Sequence, residues 1–167
     1  EELKKQSRRQ LYVEGPPGSG KSAVLLECAL IAVRGGHRVL IVCPTGALVY
    51  AFKSLLPEVD GVENIQVDTI HGVLKYKRPG ADTKHQGNAW APPSALRRID
   101  LILVDEGSQY DDREWRRFYQ SVKEQPHKPM VVVVADFQQL QPVEAATSQH
   151  LCHQFCVRQN TVKLDTV

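Results

Sequence analysis

The stretch from Gly15 to Ser22, Gly-Pro-Pro-Gly-Ser-Gly-Lys-Ser, constrains the fold more than any other part of the chain. It fits the phosphate-loop pattern of a glycine, four residues and then Gly-Lys-Ser, and it stands between a strand-like and a helix-like segment. A side chain on Gly18 or Gly20 would obstruct the approach of phosphate oxygens to the backbone amides. The pattern predicts a nucleotide site, and the alternative is a Gly/Pro turn that happens to precede a lysine.

This loop has a separate role for each kind of residue in it. The positive end of the following helix would face the phosphate anion, and Lys21 would add a mobile charge. Ser22 is placed to offer its hydroxyl to Mg²⁺, an ion that keeps most of its water ligands in proteins. ATP and Mg²⁺ are therefore the expected ligands. The expected nucleotide-binding residues are Gly15, Pro16, Pro17, Gly18, Ser19, Gly20, Lys21 and Ser22.

Length and composition add broad limits. The 167 residues suffice for one domain with a substantial core, and 42% hydrophobic and 24% charged residues are ordinary for a globular chain. No apolar run approaches the ~20 residues that span a bilayer, so no membrane partner is expected. Four scattered cysteines do not make a disulfide framework, which favours an intracellular, reducing location. Both ends look cut, and we expect a longer polypeptide.

Strand-like and helix-like segments alternate along the chain. This alternation predicts an α/β fold with a parallel β-sheet flanked by helices. Ligands of such sheets bind at the carboxyl ends of strands, where the turns after Val13, Val104 and Ala135 all fall. Strands are predicted at 11–13, 38–43, 65–67, 99–104, 130–135 and 162–164, and helices at 23–33, 47–56, 73–76, 113–122 and 149–157.

Two of these helices have further sequence signals. The helix at 23–33 is apolar on nearly every face, which predicts burial between the sheet and another layer, and Gly35-Gly36 predicts its end. The helix at 113–122 is amphipathic. Asp111 and Asp112 are the candidates for its N-terminal cap.

Residues 75–98 interrupt the alternation. The segment carries six basic residues against Asp82 alone, a net charge of +5, together with prolines, glycines and Trp90. A solvated surface insertion explains this composition. A basic arm against a phosphate backbone, with Trp90 stacked on a base, explains it as well.

Polar residues follow two later strands. We assign Asp105 to Mg²⁺, held directly or through water, and Glu106 to orienting and deprotonating the water that attacks the γ-phosphate. Successive strand residues point to opposite sides, so the pair can serve both roles; a solvated acidic pair is the alternative. Gln139 could sense the γ-phosphate or position water. The expected catalytic residues are Lys21, Glu106 and Gln139, and the expected metal ligands are Ser22 and Asp105.

The order of these segments resembles that of superfamily 1 helicases. Residues 15–22, 44–46 (Pro-Thr-Gly), 69–71 (Thr-Ile-His), 105–109 (Asp-Glu-Gly-Ser-Gln) and 136–142 (Asp-Phe-Gln-Gln-Leu-Gln-Pro) follow the order of motifs I, Ia, Ib, II and III. The chain is similar to the first RecA-like motor domain of the 1B branch, near the RecD and petite-integration-frequency helicases. The resemblance implies one RecA-like ATPase domain over residues 1–167, with 75–98 as a basic insertion, in an ATP-hydrolysing helicase or translocase.

The resemblance also implies a surface for single-stranded DNA or RNA. Residues of motifs Ia and Ib touch the strand backbone in that family, which places Pro44, Thr45, Thr69 and His71 near nucleic acid. Capping and turn formation account equally well for the two threonines, and His71 is equally suited to internal packing. The family binds ATP between two RecA-like domains. A second such domain, which supplies arginines, is an expected partner from outside residues 1–167, and without it hydrolysis should be weak.

Three positions depart from the family pattern. Ala135 replaces the glycine usual before the motif III aspartate, and Gly107 stands where alanine or isoleucine is more common. The upstream glutamine that reads adenine is not evident, because Gln6 and Gln10 are too close to Gly15. Selectivity for adenine is therefore left open.

Two other functions compete with the motor interpretation. A phosphate-loop ATPase that acts as a switch would share Lys21, Asp105 and Glu106 but has no need for motifs Ib and III. A nucleotide-dependent nucleic-acid-binding module would not need an intact set of catalytic residues. The His/Cys group at 150–156 has a spacing unlike common structural zinc sites, and one apolar helix face explains it better.

Overall fold

The computed structural model describes residues 9–57, 60–74, 94–136 and 160–164. Six strands lie in these ranges: β1 Gln10–Glu14, β2 Val39–Cys43, β3 Ile65–Thr69, β4 Leu101–Val104, β5 Met130–Ala135 and β6 Thr161–Lys163. The α-helices in the same ranges are α1 Lys21–Arg34, α2 Gly46–Leu55, α3 Ile70–Leu74 and α4 Asp112–Lys123. Short 3₁₀ turns lie at Val62–Asn64, Ser94–Leu96 and Gly107–Gln109.

The six strands form one sheet in which every pairing is parallel. Their order is β3-β2-β4-β5-β1-β6, so β1 lies between β5 and β6. Val13 is opposite Val134 of β5 on one side and Val162 of β6 on the other. The predicted parallel α/β sheet is confirmed, and β6 forms one of its edges.

Helices cover both faces of the sheet. Alternate strand residues point to opposite faces, and continuous Val, Ile and Leu runs therefore fill two cores. Each fully buried side chain of this size contributes ~1.5–3 kcal/mol. The face toward α1 and α2 contains Val13, Ile41, Leu103 and Val134. The face toward α3 and α4 contains Tyr12, Leu40, Val104 and Val133.

Most predicted element bounds agree with the structure to within two residues. β3 continues past its predicted end at Val67 to Thr69, because Asp68 and Thr69 still pair with the last two residues of β2. The short helix predicted at 73–76 begins earlier, at Ile70, because the Thr69 side chain accepts a 3.1 Å bond from Gly72 N and starts the helical turn. The helix predicted at 149–157 lies outside the described residues.

One side of α1 is buried and the other is exposed. Leu25, Ala29 and Val33 are buried against the sheet, whereas Ile31 is 60% exposed. The prediction that a further layer covers α1 is therefore wrong for the described part of the chain. A single exposed apolar residue is ordinary at a protein surface. Among the described helices, none combines the length and the apolar character needed to cross a membrane.

A reciprocal pair of hydrogen bonds fixes the start of α4. Asp111 Oδ1 accepts a 2.7 Å bond from Glu114 N, and Glu114 Oε2 accepts a 2.9 Å bond from Asp111 N. This is a capping box, in which two helix-end amides receive partners at once. Of the two predicted caps, Asp111 occupies the cap position and Asp112 is the first helical residue.

We expect Asp111→Ala to lower the free energy of unfolding by about 1 kcal/mol, because the Glu114 amide loses its acceptor. Asp111→Ser is the matched control, since a serine oxygen can accept the same bond and should retain most of the stability. Urea unfolding followed by circular dichroism measures both variants. Equal losses for alanine and serine would show that the cap bond does not stabilise α4.

Candidate nucleotide site

The turns after β1, β4 and β5 lie at one edge of the sheet. Parallel strands all end at the same edge, and β5 lies between β1 and β4. Asp136, the residue that follows β5, is therefore between the phosphate loop and Asp105 in strand order. It is buried, with 2% of its surface exposed. The predicted convergence of the three marked turns agrees with this topology.

Two glycines give the phosphate loop its shape. Gly18 and Gly20 have φ angles of +77° and +81°, in the left-handed region that other residues rarely adopt. Among the described residues, no atom outside the adjoining backbone lies within 4 Å of the position that a Cβ would take at either glycine. The space above the loop is therefore open to a ligand. Gly20 precedes α1 without a side-chain cap, so the first amides of α1 have no side-chain oxygen from the cap residue.

The Lys21 side chain bonds back to the first two residues of the phosphate loop. Its Nζ donates 2.8 Å hydrogen bonds to the carbonyl oxygens of Gly15 and Pro16, and the residue is only 6% exposed. Ser19 N donates to the same Pro16 oxygen at 3.2 Å. A lysine ammonium has three donors, so these two bonds leave one for an anion above the loop.

Ser22 and Asp105 approach each other across the sheet edge. Ser22 Oγ lies 3.4 Å and 3.5 Å from the two carboxylate oxygens of Asp105. Alternation along β4 explains the direction: Leu103 points toward α1, and Asp105, two residues further, points the same way. Asp105 N still donates to Val42 O at 2.9 Å, which extends the strand by one residue. The two predicted metal ligands are therefore together.

The Asp105 carboxyl is in an environment that disfavours its charged form. Burial first, and the charge of Glu106 second, raise its pKa from 3.8 to about 6. The backbone bond at Glu106, the Ser22 hydroxyl and the Lys21 charge act in the opposite direction. A buried carboxylate beside a hydroxyl offers two hard oxygen donors, a donor set that suits Mg²⁺.

Glu106 differs from its sequence-based description. β4 ends at Val104, and Glu106 has φ 49° and ψ 46°, a left-handed conformation that is unusual for glutamate. Strand alternation, which was predicted to direct Asp105 and Glu106 to opposite sides, therefore does not apply at Glu106. Glu106 Oε2 is buried, and within the described residues it has no hydrogen-bond partner. Strain of this kind is common at functional sites.

Sequence reasoning missed Trp115. Its indole Nε1 donates a 3.0 Å bond to the carbonyl of Gly107, next to Glu106. The sequence contains no direct signal for this contact, because the residue also fits the apolar face of an amphipathic helix. Its neighbour Glu114 could have been found, since Asp111-x-x-Glu114 has the capping-box spacing.

The predicted nucleic-acid residues lie at or just after the ends of β2 and β3, at the same sheet edge, and three of them have partners inside the chain. Thr45 Oγ1 caps α2 by accepting a 3.3 Å bond from Leu48 N. Thr69 Oγ1 accepts a bond from Gly72 N at the start of α3, and His71 Nε2 lies 3.2 Å from Glu114 Oε1. Pro44 is half-buried between β2 and Thr45. These contacts support the capping and packing roles that the sequence left open.

Other sequence-predicted features lie away from this edge or outside the described residues. Gln10 is at the start of β1, at the opposite end of that strand from the loop, and its Nε2 donates to Tyr119 Oη at 2.8 Å. It is therefore unsuited to reading adenine. Gln139, the His/Cys group at 150–156 and most of the basic segment, including Trp90, lie outside the described residues.

The parallel sheet, the glycine loop and the helix that follows it define a RecA-like phosphate-loop domain. The sequence then gives the particular family. The chain belongs to the AAA-domain family, whose model matches residues 1–167. A comparison with curated proteins found no significant match.

Several solved structures share this fold at low identity. A Pif1 helicase structure concerned with DNA unwinding at forked double-stranded DNA has a TM-score of 0.61 and 17% identity, over 99% of this chain and 42% of that chain. Pif1 from Bacteroides sp in complex with ADP-AlF4 has a TM-score of 0.58 and 17% identity, over 99% and 40%. Flagellar accessory protein FlaH from Methanocaldococcus jannaschii has a TM-score of 0.54 and 14% identity, over 98% and 76%. This chain thus spans about two fifths of the Pif1 chains.

Asp105→Asn should stabilise the chain in the absence of nucleotide and Mg²⁺. Because the folded-state pKa of about 6 lies above 3.8, the folded chain holds this proton more tightly, and its stability falls as pH rises from about 4 to 6. Asparagine keeps the shape without ionising. We expect a gain of up to ~3 kcal/mol at pH 7.5 and a smaller gain at pH 4.5. Urea unfolding with a chelator at both pH values measures it, and equal gains would contradict the proposed burial cost.

Proposed function

We propose that this chain is the ATP-binding and ATP-hydrolysing motor domain of a nucleic-acid helicase or translocase that acts on single-stranded DNA or RNA. The observation that carries the proposal is the 3.4 Å approach of Ser22 Oγ to the buried Asp105 carboxylate, next to the left-handed Glu106. A phosphate loop, a pair of cation ligands and a candidate base therefore share one sheet edge. The order of the helicase motifs and the likeness to Pif1 helicases support a motor among such domains.

The chain's own residues have distinct tasks in this proposal. The amides around Gly18 and Gly20 bind the phosphates, and Lys21 gives its remaining donor to a phosphate oxygen. Glu106 accepts the proton of the attacking water, a role that suits a carboxylate oxygen with unused acceptor capacity. Gln139 senses the γ-phosphate. We assign Lys21, Glu106 and Gln139 as the catalytic residues.

Ser22 and Asp105 would hold Mg²⁺. When bound, this ion supplies positive charge that balances the phosphate oxygens of the nucleotide. The described residues contain no group of three His, Cys, Asp or Glu side chains that could hold a metal ion by themselves. One carboxylate and one hydroxyl fit an ion that takes its other ligands from water and phosphate.

The proposal includes two macromolecular partners. Pro44, Thr45, Thr69 and His71 would contact the backbone of a single strand, in addition to their contacts within the chain. A second RecA-like domain would complete the ATP site and contribute arginines, which typically raise the rate of phosphoryl transfer by ~10³–10⁵. This chain alone should therefore hydrolyse ATP slowly. Its place of action would be intracellular, where ATP is abundant.

A switch ATPase is the second candidate. The internal partners of Thr45, Thr69 and His71 support it, because those residues then need no nucleic acid to explain them. Brisk hydrolysis by this chain that ignores single-stranded nucleic acid would favour the switch over the motor. Slow hydrolysis that rises on addition of an oligonucleotide would favour the motor.

Glu106→Gln and Lys21→Ala should separate hydrolysis from binding. The glutamine keeps shape and polarity but removes the base, so nucleotide affinity should persist while ATP turnover falls by ~10²–10⁴. Lys21→Ala should weaken binding of a fluorescent ATP analogue at least tenfold, because it removes the cation of the loop. Titration and phosphate release measure the two effects. Lys53→Ala, at an exposed position on α2, is the control and should match the wild type in both.

Equal nucleotide affinity of the wild type and Lys21→Ala would place the nucleotide elsewhere. Unchanged turnover in Glu106→Gln would remove Glu106 as the base while leaving the binding site intact.

Binding of single-stranded nucleic acid should depend on salt and on the basic segment. We expect the combined replacement of Lys75, Lys77 and Arg78 by alanine to weaken binding and to reduce the slope of log K against log[salt] by about two. Fluorescence anisotropy with a labelled oligonucleotide over a salt series measures the slope. Lys123→Ala, at the end of α4 and so at the opposite sheet edge, is the control. Binding that ignores salt, or that survives the triple replacement, would exclude the basic arm.

A further inference from the structure

Residues 106–115 run from the proposed general base, Glu106, to Trp115 in the first turn of α4. Within this segment, the carbonyl of Gly107 accepts the 3.0 Å bond from Trp115 Nε1, and both residues are buried. Gln109 N donates to Glu106 O at 2.8 Å and closes the 3₁₀ turn. The indole therefore ties α4 directly to the turn that carries Glu106.

The indole ring is itself held on two sides. Edge-to-face contacts place its centroid 5.6 Å from Tyr110 and 5.9 Å from Phe118. Tyr110 Oη donates to Val42 O at 3.3 Å, which anchors the segment to β2. A glutamate in the left-handed region persists only where the surrounding structure holds it there. The hydrogen bond from Trp115 to Gly107, the residue that follows Glu106, supplies such a constraint.

The same turn of α4 reaches the proposed nucleic-acid surface. Glu114, the neighbour of Trp115, divides its carboxylate between two elements. Oε2 accepts the Asp111 amide in the capping box, and Oε1 lies 3.2 Å from His71 Nε2 of α3. A displacement of α3 would therefore act on the first turn of α4.

We infer that Trp115 is a positioning residue for Glu106, and that Glu114 couples the position of His71 to it. Contact of a nucleic-acid strand with α3 then changes ATP hydrolysis through the first turn of α4. The inference rests on the proposed function, because it takes Glu106 as the base and His71 as part of the nucleic-acid surface. It concerns how that same site is regulated.

Trp115→Phe tests the positioning role. Phenylalanine keeps an aromatic ring and removes the N–H donor, so kcat for ATP hydrolysis should fall by about tenfold to a hundredfold. KM for ATP and the affinity for a fluorescent ATP analogue should change less than about twofold, because Lys21 and Ser22 are untouched. Gln125→Met is the matched control. It removes a buried 3.1 Å bond to Ser121 O at the other end of α4 and should leave kcat unchanged.

Glu114→Gln tests the coupling. Glutamine can still accept the Asp111 amide, so the capping box and the thermal stability should persist, while the charge that faces His71 is lost. We expect basal hydrolysis to match the wild type. The stimulation of hydrolysis by a single-stranded oligothymidylate should fall by about fivefold or more. In a His71→Ala background, Glu114→Gln should add no further loss, as expected for two residues that act as a unit.

The results of these experiments test the positioning and coupling roles separately from the proposed function. A wild-type chain that neither binds nor hydrolyses ATP would remove both. A wild-type chain that hydrolyses ATP while Trp115→Phe retains its full kcat would overturn the positioning role and leave the function standing. Additive losses in Glu114→Gln and His71→Ala would overturn the coupling alone.

Discussion

Parallel pairing of β1, β5 and β4 is the constraint on which the site depends. Strands that run the same way end at the same edge, so the residues that follow them become neighbours although they are far apart in sequence. The phosphate loop, Asp136 and Asp105 meet in this way. The helices that return the chain cover the two faces and leave this edge to the connecting turns. The common direction of the strands thus brings together three parts of the site that no single local segment contains.

The same edge contains several groups whose burial or backbone conformation opposes folding. Burial disfavours the Asp105 charge, Glu106 has a left-handed backbone, and Lys21 is removed from water. Each of these features costs stability in the unliganded chain, and all three belong to the proposed nucleotide site. Local conflicts of this kind are expected at functional sites, where the surrounding core offsets them. Here the offset comes from the apolar strands directly beneath.

The sequence was sufficient for the sheet and for the shape of the phosphate loop. Continuous Val and Ile runs identify buried strands, and Gly18 and Gly20 have conformations that the phosphate-loop pattern requires. The backbone of Glu106 was not predictable, because its left-handed angles are imposed by tertiary contacts rather than by its own side chain. The indole bond of Trp115 was hidden for a similar reason: a tryptophan on an apolar helix face gives no indication of what its N–H donor contacts.

The position of β1 in the sheet has a consequence for how the chain folds as it is made. β1 pairs only with β5 and β6 among the described strands, and Gln10 meets Val131, roughly 120 residues later in the chain. During synthesis on the ribosome, β1 therefore cannot form its native pairs until β5 and β6 have been made. Closing so long a loop is slow, and apolar strands exposed meanwhile are prone to misassociation. The phosphate loop is thus synthesised before β5 but reaches its final position only after β5 has paired with β1. We therefore expect nucleotide to bind the completed sheet rather than an early folding intermediate.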